Sequence, residues 1–233
     1  VLGATGSVGR QALEVLDQLH ETHTVVGLSA RTSADLLSEQ AATHRPEAVC
    51  LVEEPPGGAL SLPPGCQHLS GTDGLVELVE RTQPDTVVCA ITGAAGLRST
   101  LAAAESGAVV ALANKESLVL AGHLVKAACE RSGATLVPVD SEPSAIAQCL
   151  LGESRAGVRR IVLTASGGPF RGWTRDQLEG VTIEQALRHP SWEMGPRITI
   201  DSATLMNKAL EVIEACHLFD VGPDDIHVVV HPQ

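Results

Sequence analysis

Through its first 139 residues the chain alternates short apolar runs with amphipathic stretches of helix length, and that rhythm restricts its fold more than any single motif. Strand-like runs lie at 1–2, 24–29, 48–52, 86–91, 108–112 and 135–139. Helix-like runs lie between them, at 10–20, 34–44, 71–82, 97–106 and 116–131. This βαβα order predicts a mostly parallel sheet with helices on both faces. The strands are apolar throughout, as expected where both faces are buried. Residues 53–65, rich in Pro and Gly, read as a surface excursion.

After residue 142 the rhythm changes. A helix is expected over 144–151 and a strand over 160–164. A poorly periodic stretch follows over 165–196, the kind that is usually a functional loop. Then come a strand over 197–201, a helix over 203–219 and a strand over 226–231. On the last helix Leu205, Leu210, Ile213 and Leu218 mark the expected buried stripe. Both ends look cut, since the chain opens inside one strand and stops just after another.

Leu2-Gly3-Ala4-Thr5-Gly6-Ser7-Val8-Gly9 follows a strand and opens a helix, with glycines spaced G-x-x-G-x-x-G. The first glycine suits a tight turn, the second lets backbone approach a pyrophosphate, and the third lets helix and strand pack closely. A helix N-terminus then faces the anion. The pattern fits dinucleotide binding on a doubly wound, Rossmann-like sheet, or a plain tight turn. An NAD site commonly carries an acid at the end of the second strand. Here stands Ser29-Ala30-Arg31-Thr32-Ser33, and Arg31 suits a 2′-phosphate. The loop Thr92-Gly93-Ala94-Ala95-Gly96 is placed at the same sheet edge.

The net charge of −12 argues against a nucleic-acid or anionic-membrane partner. None of the six cysteines forms a C-x-x-C pair, and several sit in apolar runs, as reduced core thiols do. That usage points to a reducing compartment.

Pro138-Val139-Asp140-Ser141-Glu142 stands where the two halves of the chain meet. In extended backbone, Asp140 and Glu142 point to the same side, where a hard divalent cation would relieve their repulsion. The same residues also suit a capped helix start. Asn207 and Glu211 are i and i+4 on one helix face with Lys208 beside them, and Asp201-Ser202 is placed to cap that helix. Ser166-Gly167-Gly168 offers a hydroxyl and backbone amides, as phosphate sites do. His189-Pro190-Ser191-Trp192-Glu193-Met194-Gly195 reads as a lid in a chain with only two Trp, two Phe and no Tyr.

Taken in order, residues 3–9, 112–117, 138–142, 166–170, 189–195, 200–214 and 230–233 resemble the 1-deoxy-D-xylulose 5-phosphate reductoisomerase family along the whole chain. The resemblance implies a Rossmann-like NADPH-binding domain over 1–139 and an α+β catalytic domain over 140–233, cut short at its C-terminal side. It implies NADPH- and metal-dependent isomerisation and reduction of 1-deoxy-D-xylulose 5-phosphate to 2-C-methyl-D-erythritol 4-phosphate, in non-mevalonate isoprenoid synthesis. It implies further a homodimer in a bacterial cytoplasm or plastid stroma.

By motif position, Asp140, Glu142 and Glu211 would hold Mg²⁺ or Mn²⁺, and with Lys115 and His189 form the catalytic set. Ser166, Ser202, Asn207 and Lys208 would hold the substrate phosphate, with Ser141, His189 and Trp192 beside the substrate. Thr5, Gly6, Ser7, Val8, Ala30, Arg31, Thr32, Asn114, Lys115, Glu116 and Gly195 would line the cofactor, and His231 the deeper wall of the site. Pro143 departs from the His expected there, Ala165 and Ala209 from Gly, and Cys216-His217 from a pair ending in Trp. Two other readings remain open: a different NADPH-dependent dehydrogenase of the homoserine or semialdehyde kind, the latter using a nucleophilic Cys, and an inert NADPH-binding protein.

Overall fold

The computed structural model describes residues 1–54 and 60–231. Contacts divide it into two compact units, Val1–Asp140 and Ser141–Gln233. The boundary falls one residue from the expected one. Part of the 53–65 excursion, and Pro232 and Gln233 of the last motif, lie outside the described residues.

In the first unit, β1 (Gly27–Ala30), β2 (Ala48–Leu51) and β3 (Gln67–Ser70) form one parallel array, and β4 (Thr86–Cys89), β5 (Val109–Leu112) and β6 (Thr135–Pro138) another. The leading segment joins them. The Ser29 amide donates to the Val1 carbonyl (3.0 Å), the Leu2 amide to the Val88 carbonyl (2.8 Å), and the Ala90 amide to the Leu2 carbonyl (2.9 Å). The order across the array is therefore β3-β2-β1, the leading segment, then β4-β5-β6. The chain winds outward from its own start in both directions, as a doubly wound sheet does. The loops after the leading segment and after β4 flank the point where the winding reverses, the usual ligand crevice of such sheets.

Helices α1 (Ser7–Gln18), α2 (Ala34–His44), α3 (Gly71–Thr82), α4 (Leu97–Glu105) and α5 (Lys115–Ser132) belong to this unit. Strand period 2 divides them between two faces. Leu28, Ala30, Val49 and Leu51 pack with Leu13 of α1 and with Leu37 and Ala41 of α2. On the other face Gly27 lies against Leu78 of α3, and the Cys50 sulfur against Gly74. Burying a leucine such as Leu28 or Leu37 contributes about 1.5–3 kcal/mol. β1 and β2 are buried throughout, as expected, whereas β4 and β5 alternate. β3 was not expected: Gln67, His68 and Ser70 are exposed and Leu69 alone faces inward, which hides the strand from an apolar-run criterion.

In the second unit, β7 (Ile161–Ala165) and β8 (Ile226–Val230) pair in parallel. Ile161, Leu163 and Ile226 pack with Ala215 and Phe219 of α10 (Met206–Phe219), and with Ile146 and Ala147 of α6 (Ser141–Cys149). The irregular stretch contains α7 (Arg175–Leu178) and α8 (Ile183–Ala186), each started by a capping box, Thr174 with Gln177 and Thr182 with Gln185.

Several expectations fail in this unit. Residues 197–201 are not a strand but lie in α9 (Pro196–Ala203). The alternation of Ile198 and Ile200 mimics a strand, yet Pro196 at the first helical position sets the turn. Asp201 and Ser202 therefore sit inside α9 rather than capping the next helix. The expected 203–219 helix breaks at Leu205, which takes a left-handed φ of 61° and separates α9 from α10. The buried face of α10 is only in part the leucine stripe: Leu218 packs on the core and Leu210 is half-buried, but Leu205 and Ile213 are exposed, and Lys208, Glu211, Glu214, Ala215 and Phe219 face inward. Asp140 and Glu142 do not share an extended segment, because α6 begins at Ser141. Pro143 is buried in the first turn of α6, where a missing N–H is tolerated.

The glycine turn gives a direct test of this packing. A Cβ at Gly9 would lie 2.2 Å from the Gly3 carbonyl oxygen, but one at Gly6 would lie 3.3 Å from it. Gly9→Ala is expected to cost about 1–3 kcal/mol through overpacking. Gly6→Ala is expected to cost less than about 1 kcal/mol. Thermal unfolding of both variants checks the ranking, and a larger loss for Gly6→Ala would contradict it.

Candidate active site

The first unit presents a braced glycine turn. Gly3 takes φ +83°, and a Cβ there would meet the Ala90 carbonyl oxygen at 2.7 Å. The Gly3 amide donates to the hydroxyl of Ser29 (3.0 Å), a buried residue of β1, and Gln40 of α2 donates to the Ala4 carbonyl (2.9 Å). The motif reading gives neither Ser29 nor Gln40 a role in this turn. Their signal is a polar residue in an apolar strand and another on the inward side of a helix. Thr5 precedes the α1 N-cap Gly6, and Ser7 and Val8 begin the helix. The first amides of a helix have no acceptor within it, so they point at whatever anion approaches.

Arg31 and Thr32 follow β1, which ends at Ala30. The Arg31 side chain is 76% exposed and pairs at 3.7 Å with Glu53, just past β2. Ala30 is buried, so only its backbone is available.

The start of α5 carries the other candidates of this unit. Asn114 caps it, accepting from the Ser117 amide (2.9 Å). Its amide nitrogen donates to the carbonyls of Gly93 (2.9 Å) and Ile91, tying the loop after β4 to α5. With 2% exposure and both amide hydrogens engaged, Asn114 positions this edge of the crevice rather than presenting its own side chain to a cofactor. It thereby fixes the next two residues, Lys115 and Glu116. The Lys115 side chain is buried and its ammonium is ion-paired with the Asp140 carboxylate.

The second unit holds the densest polar cluster. Glu142 on α6 and Glu211 on α10 both accept from the Lys208 ammonium, Glu142 at 2.7 Å. Asn207 donates to the other Glu211 oxygen (2.5 Å), and Ser141 to the other Glu142 oxygen (2.5 Å). Glu211 is fully buried and Lys208 nearly so. Burial disfavours the Glu142 carboxylate most strongly, but the Lys208 and Ser141 hydrogen bonds outweigh it and hold its carboxyl below the usual range. Among the described residues no three His, Cys, Asp or Glu side chains form a ready ligand group. What exists is two oxygen donors of the kind hard divalent cations take, gathered on an ammonium.

Ser166 lies just past β7. Gly168 behind it approaches the Ser202 carbonyl so closely that a Cβ would lie 2.6 Å away. The loop of Ser166 thus approaches the backbone of Ser202, whereas the other two residues expected at a phosphate, Asn207 and Lys208, are turned onto carboxylates. His189 reaches Ser166 through Nε2 at 3.1 Å, while its Nδ1 accepts from the amides of Ser191 (3.2 Å) and Trp192 (3.0 Å). Those acceptances place the ring proton on Nε2, aimed at the serine oxygen. Burial pushes the His189 pKa down, which favours that neutral ring. Ser166 also accepts from the Gly168 amide (3.2 Å), so its own hydroxyl proton remains for an incoming anion.

Trp192 is 67% exposed, Gly195 is the N-cap of α9, and the His231 amide continues the β7–β8 pairing by donating to Ala165 (2.8 Å). Five of the six thiols are disfavoured as the nucleophile that a semialdehyde-type reading needs, and the sixth, Cys149, is exposed near the end of α6. Burial pushes Cys50 up to about 12 and Cys89 to about 11, and raises Cys66, Cys129 and Cys216.

Two family models match this chain. That of 1-deoxy-D-xylulose 5-phosphate reductoisomerase covers residues 1–122, and that of the reductoisomerase C-terminal domain covers 136–219. The reductoisomerases of Nitratidesulfovibrio vulgaris (strain DP4) and Protochlamydia amoebophila (strain UWE25) are 51% and 48% identical over this whole chain. This chain spans 58% and 61% of their lengths. Among solved structures, the Zymomonas mobilis reductoisomerase in complex with NADPH superposes with TM-score 0.89 and 41% identity, over 100% of this chain and 60% of that one. A DOX-P reductoisomerase in complex with NADPH, fosmidomycin and magnesium gives TM-score 0.84 and 41% identity, over 99% and 60%. With motifs, fold and these likenesses in agreement, the chain belongs to the 1-deoxy-D-xylulose 5-phosphate reductoisomerase family.

Proposed function

We propose that this chain supplies the NADPH-binding domain, residues 1–139, and part of the catalytic domain, from residue 140, of an enzyme that isomerises and reduces 1-deoxy-D-xylulose 5-phosphate to 2-C-methyl-D-erythritol 4-phosphate. The observation that carries this reading is the gathering of Glu142 and Glu211 on one cation beside Asn207. Two carboxylates sharing a positive charge, within the same unit as a serine-glycine anion loop, suit a phosphorylated substrate whose ketone and hydroxyls chelate a hard metal. Homodimeric assembly in a bacterial cytoplasm or plastid stroma goes with this reading.

In it, Glu142 and Glu211, with Asp140 as a third oxygen donor, hold Mg²⁺ or Mn²⁺. When bound, the metal polarises the substrate carbonyl, and NADPH supplies the hydride. The residues themselves bind and orient. The α1 amides and the glycine turn receive the pyrophosphate. Arg31 exchanges Glu53 for the cofactor's 2′-phosphate. Asn114 keeps the loop after β4 in place. Ser166, with its proton free and its oxygen fixed by neutral His189, donates to the substrate phosphate alongside Ser202. Anchoring the substrate by a phosphate remote from the reacting carbons lets binding energy serve orientation. Trp192 and its neighbours close as a lid and exclude water.

The decisive assay follows NADPH oxidation with 1-deoxy-D-xylulose 5-phosphate in the full-length protein. Chelation is expected to abolish turnover and Mn²⁺ to restore it. Turnover indifferent to metal would contradict the reading. Cofactor choice gives a second expectation. Arg31→Ala should raise the KM for NADPH about tenfold, as loss of a partly exposed charge-assisted hydrogen bond does, while kcat/KM with NADH stays within about twofold by the same argument. Equal losses with both cofactors would remove Arg31 from that role.

A further inference from the structure

Both helix residues expected at the substrate phosphate are engaged by an expected metal ligand. Asn207 donates to one Glu211 oxygen at 2.5 Å and Lys208 to the other, and the Lys208 ammonium also reaches Glu142 at 2.7 Å. The ammonium therefore lies between carboxylates from two helices, α6 and α10, and is 66 positions along the chain from Glu142. That is where a divalent cation bridging the same oxygens would sit. An ammonium and a metal ion cannot both fill it, because their charges repel and the oxygens facing them are the same.

Lysine is suited to moving. Its charge is a compact point on a flexible four-carbon stem. A destination exists in the same unit, where the Gly168 backbone approaches the Ser202 carbonyl and the Ser166 hydroxyl, accepting from His189 and from the Gly168 amide, keeps its own proton.

We propose that Lys208 is a tethered counter-ion for the metal site. It holds the divalent-cation position between Glu142 and Glu211 until a phosphate group draws it away, so that cation and phosphate bind with positive coupling. The proposal rests on the metal and phosphate reading above. Its consequence is an order built into the site. A bare metal ion meets an internal competitor, and a phosphate monoester removes that competitor while binding it. Linkage makes the effect reciprocal: phosphate strengthens metal binding by the same factor that metal strengthens phosphate binding.

The test is Mn²⁺ affinity of the full-length protein, read from the electron paramagnetic resonance signal of free Mn²⁺, with and without saturating methyl phosphate. Wild type is expected to bind Mn²⁺ about fivefold or more tightly with methyl phosphate present, the lower end of typical coupling. Lys208→Gln is expected to bind Mn²⁺ more tightly than wild type in the absence of methyl phosphate and to lose the response to it. A wild-type affinity unchanged by methyl phosphate overturns the proposal, and needs no variant. So does coupling that persists in Lys208→Gln, which would assign it to direct contact between metal and phosphate. Glu211→Gln separates the two levels of the argument. Mn²⁺ bound equally by wild type and Glu211→Gln overturns the metal reading itself and the proposal with it. Mn²⁺ lost only in Glu211→Gln, without methyl phosphate coupling in wild type, overturns the proposal alone.

Discussion

Carboxylates held by buried lysines are the constraint on which the rest of this molecule turns. Lys115 pairs with Asp140 in the first unit, and Lys208 joins Glu142 to Glu211 in the second. A charge removed from water is strongly disfavoured unless it is paired and hydrogen-bonded. Truncating one partner of such a pair typically costs about 3–5 kcal/mol, because the other is left uncompensated. Each pairing therefore contributes to the stability of the unit that holds it. Helix starts supply the geometry. Lys115 is the first residue of α5, aimed by the Asn114 cap, and Lys208 lies in the first turn of α10, after the break at Leu205.

The sheet serves the same end. The leading segment at its centre brings the glycine turn and the loop after β4 to one point, close enough that Gly3 tolerates no side chain against Ala90. Three polar side chains then hold those loops: Ser29 and Gln40 on the glycine turn, Asn114 on the loop after β4. The proposed cofactor site draws mainly on backbone amides, so the side chains that matter most to it are the ones fixing that backbone.

The first unit was legible because its signals are local. Residues 34–44 and 71–82 form the expected helices to the residue, and the glycine spacing predicted the strand-turn-helix that is observed. β3 escaped because Gln67-His68-Leu69-Ser70 carries one inward side chain. The second unit was harder to read. Ile198 and Ile200 suggested a strand where Pro196 starts a helix. The leucine positions of 203–219 suggested a buried face that is in part solvent-exposed, because the inward face carries Lys208, Glu211 and Glu214. A hydrophobic-stripe argument fails wherever charged side chains line the buried face. Motif spacing put Asn207 and Glu211 on one helix face, and they do bond. Nothing local could show that Lys208 reaches Glu142, since that partner is fixed by the packing of α6 against α10.

The central claim proposed above is that Lys208 stands in for positive charge that a divalent cation otherwise provides. Crystals of the full-length protein soaked in Mn²⁺ and measured at the manganese absorption edge test it most directly. The account predicts one anomalous peak coordinated by Glu142 and Glu211 at about 2.0–2.3 Å, as hard oxygen ligands bind, with the Lys208 ammonium withdrawn from both. Manganese bound elsewhere, with Lys208 still joining the two glutamates, would contradict it.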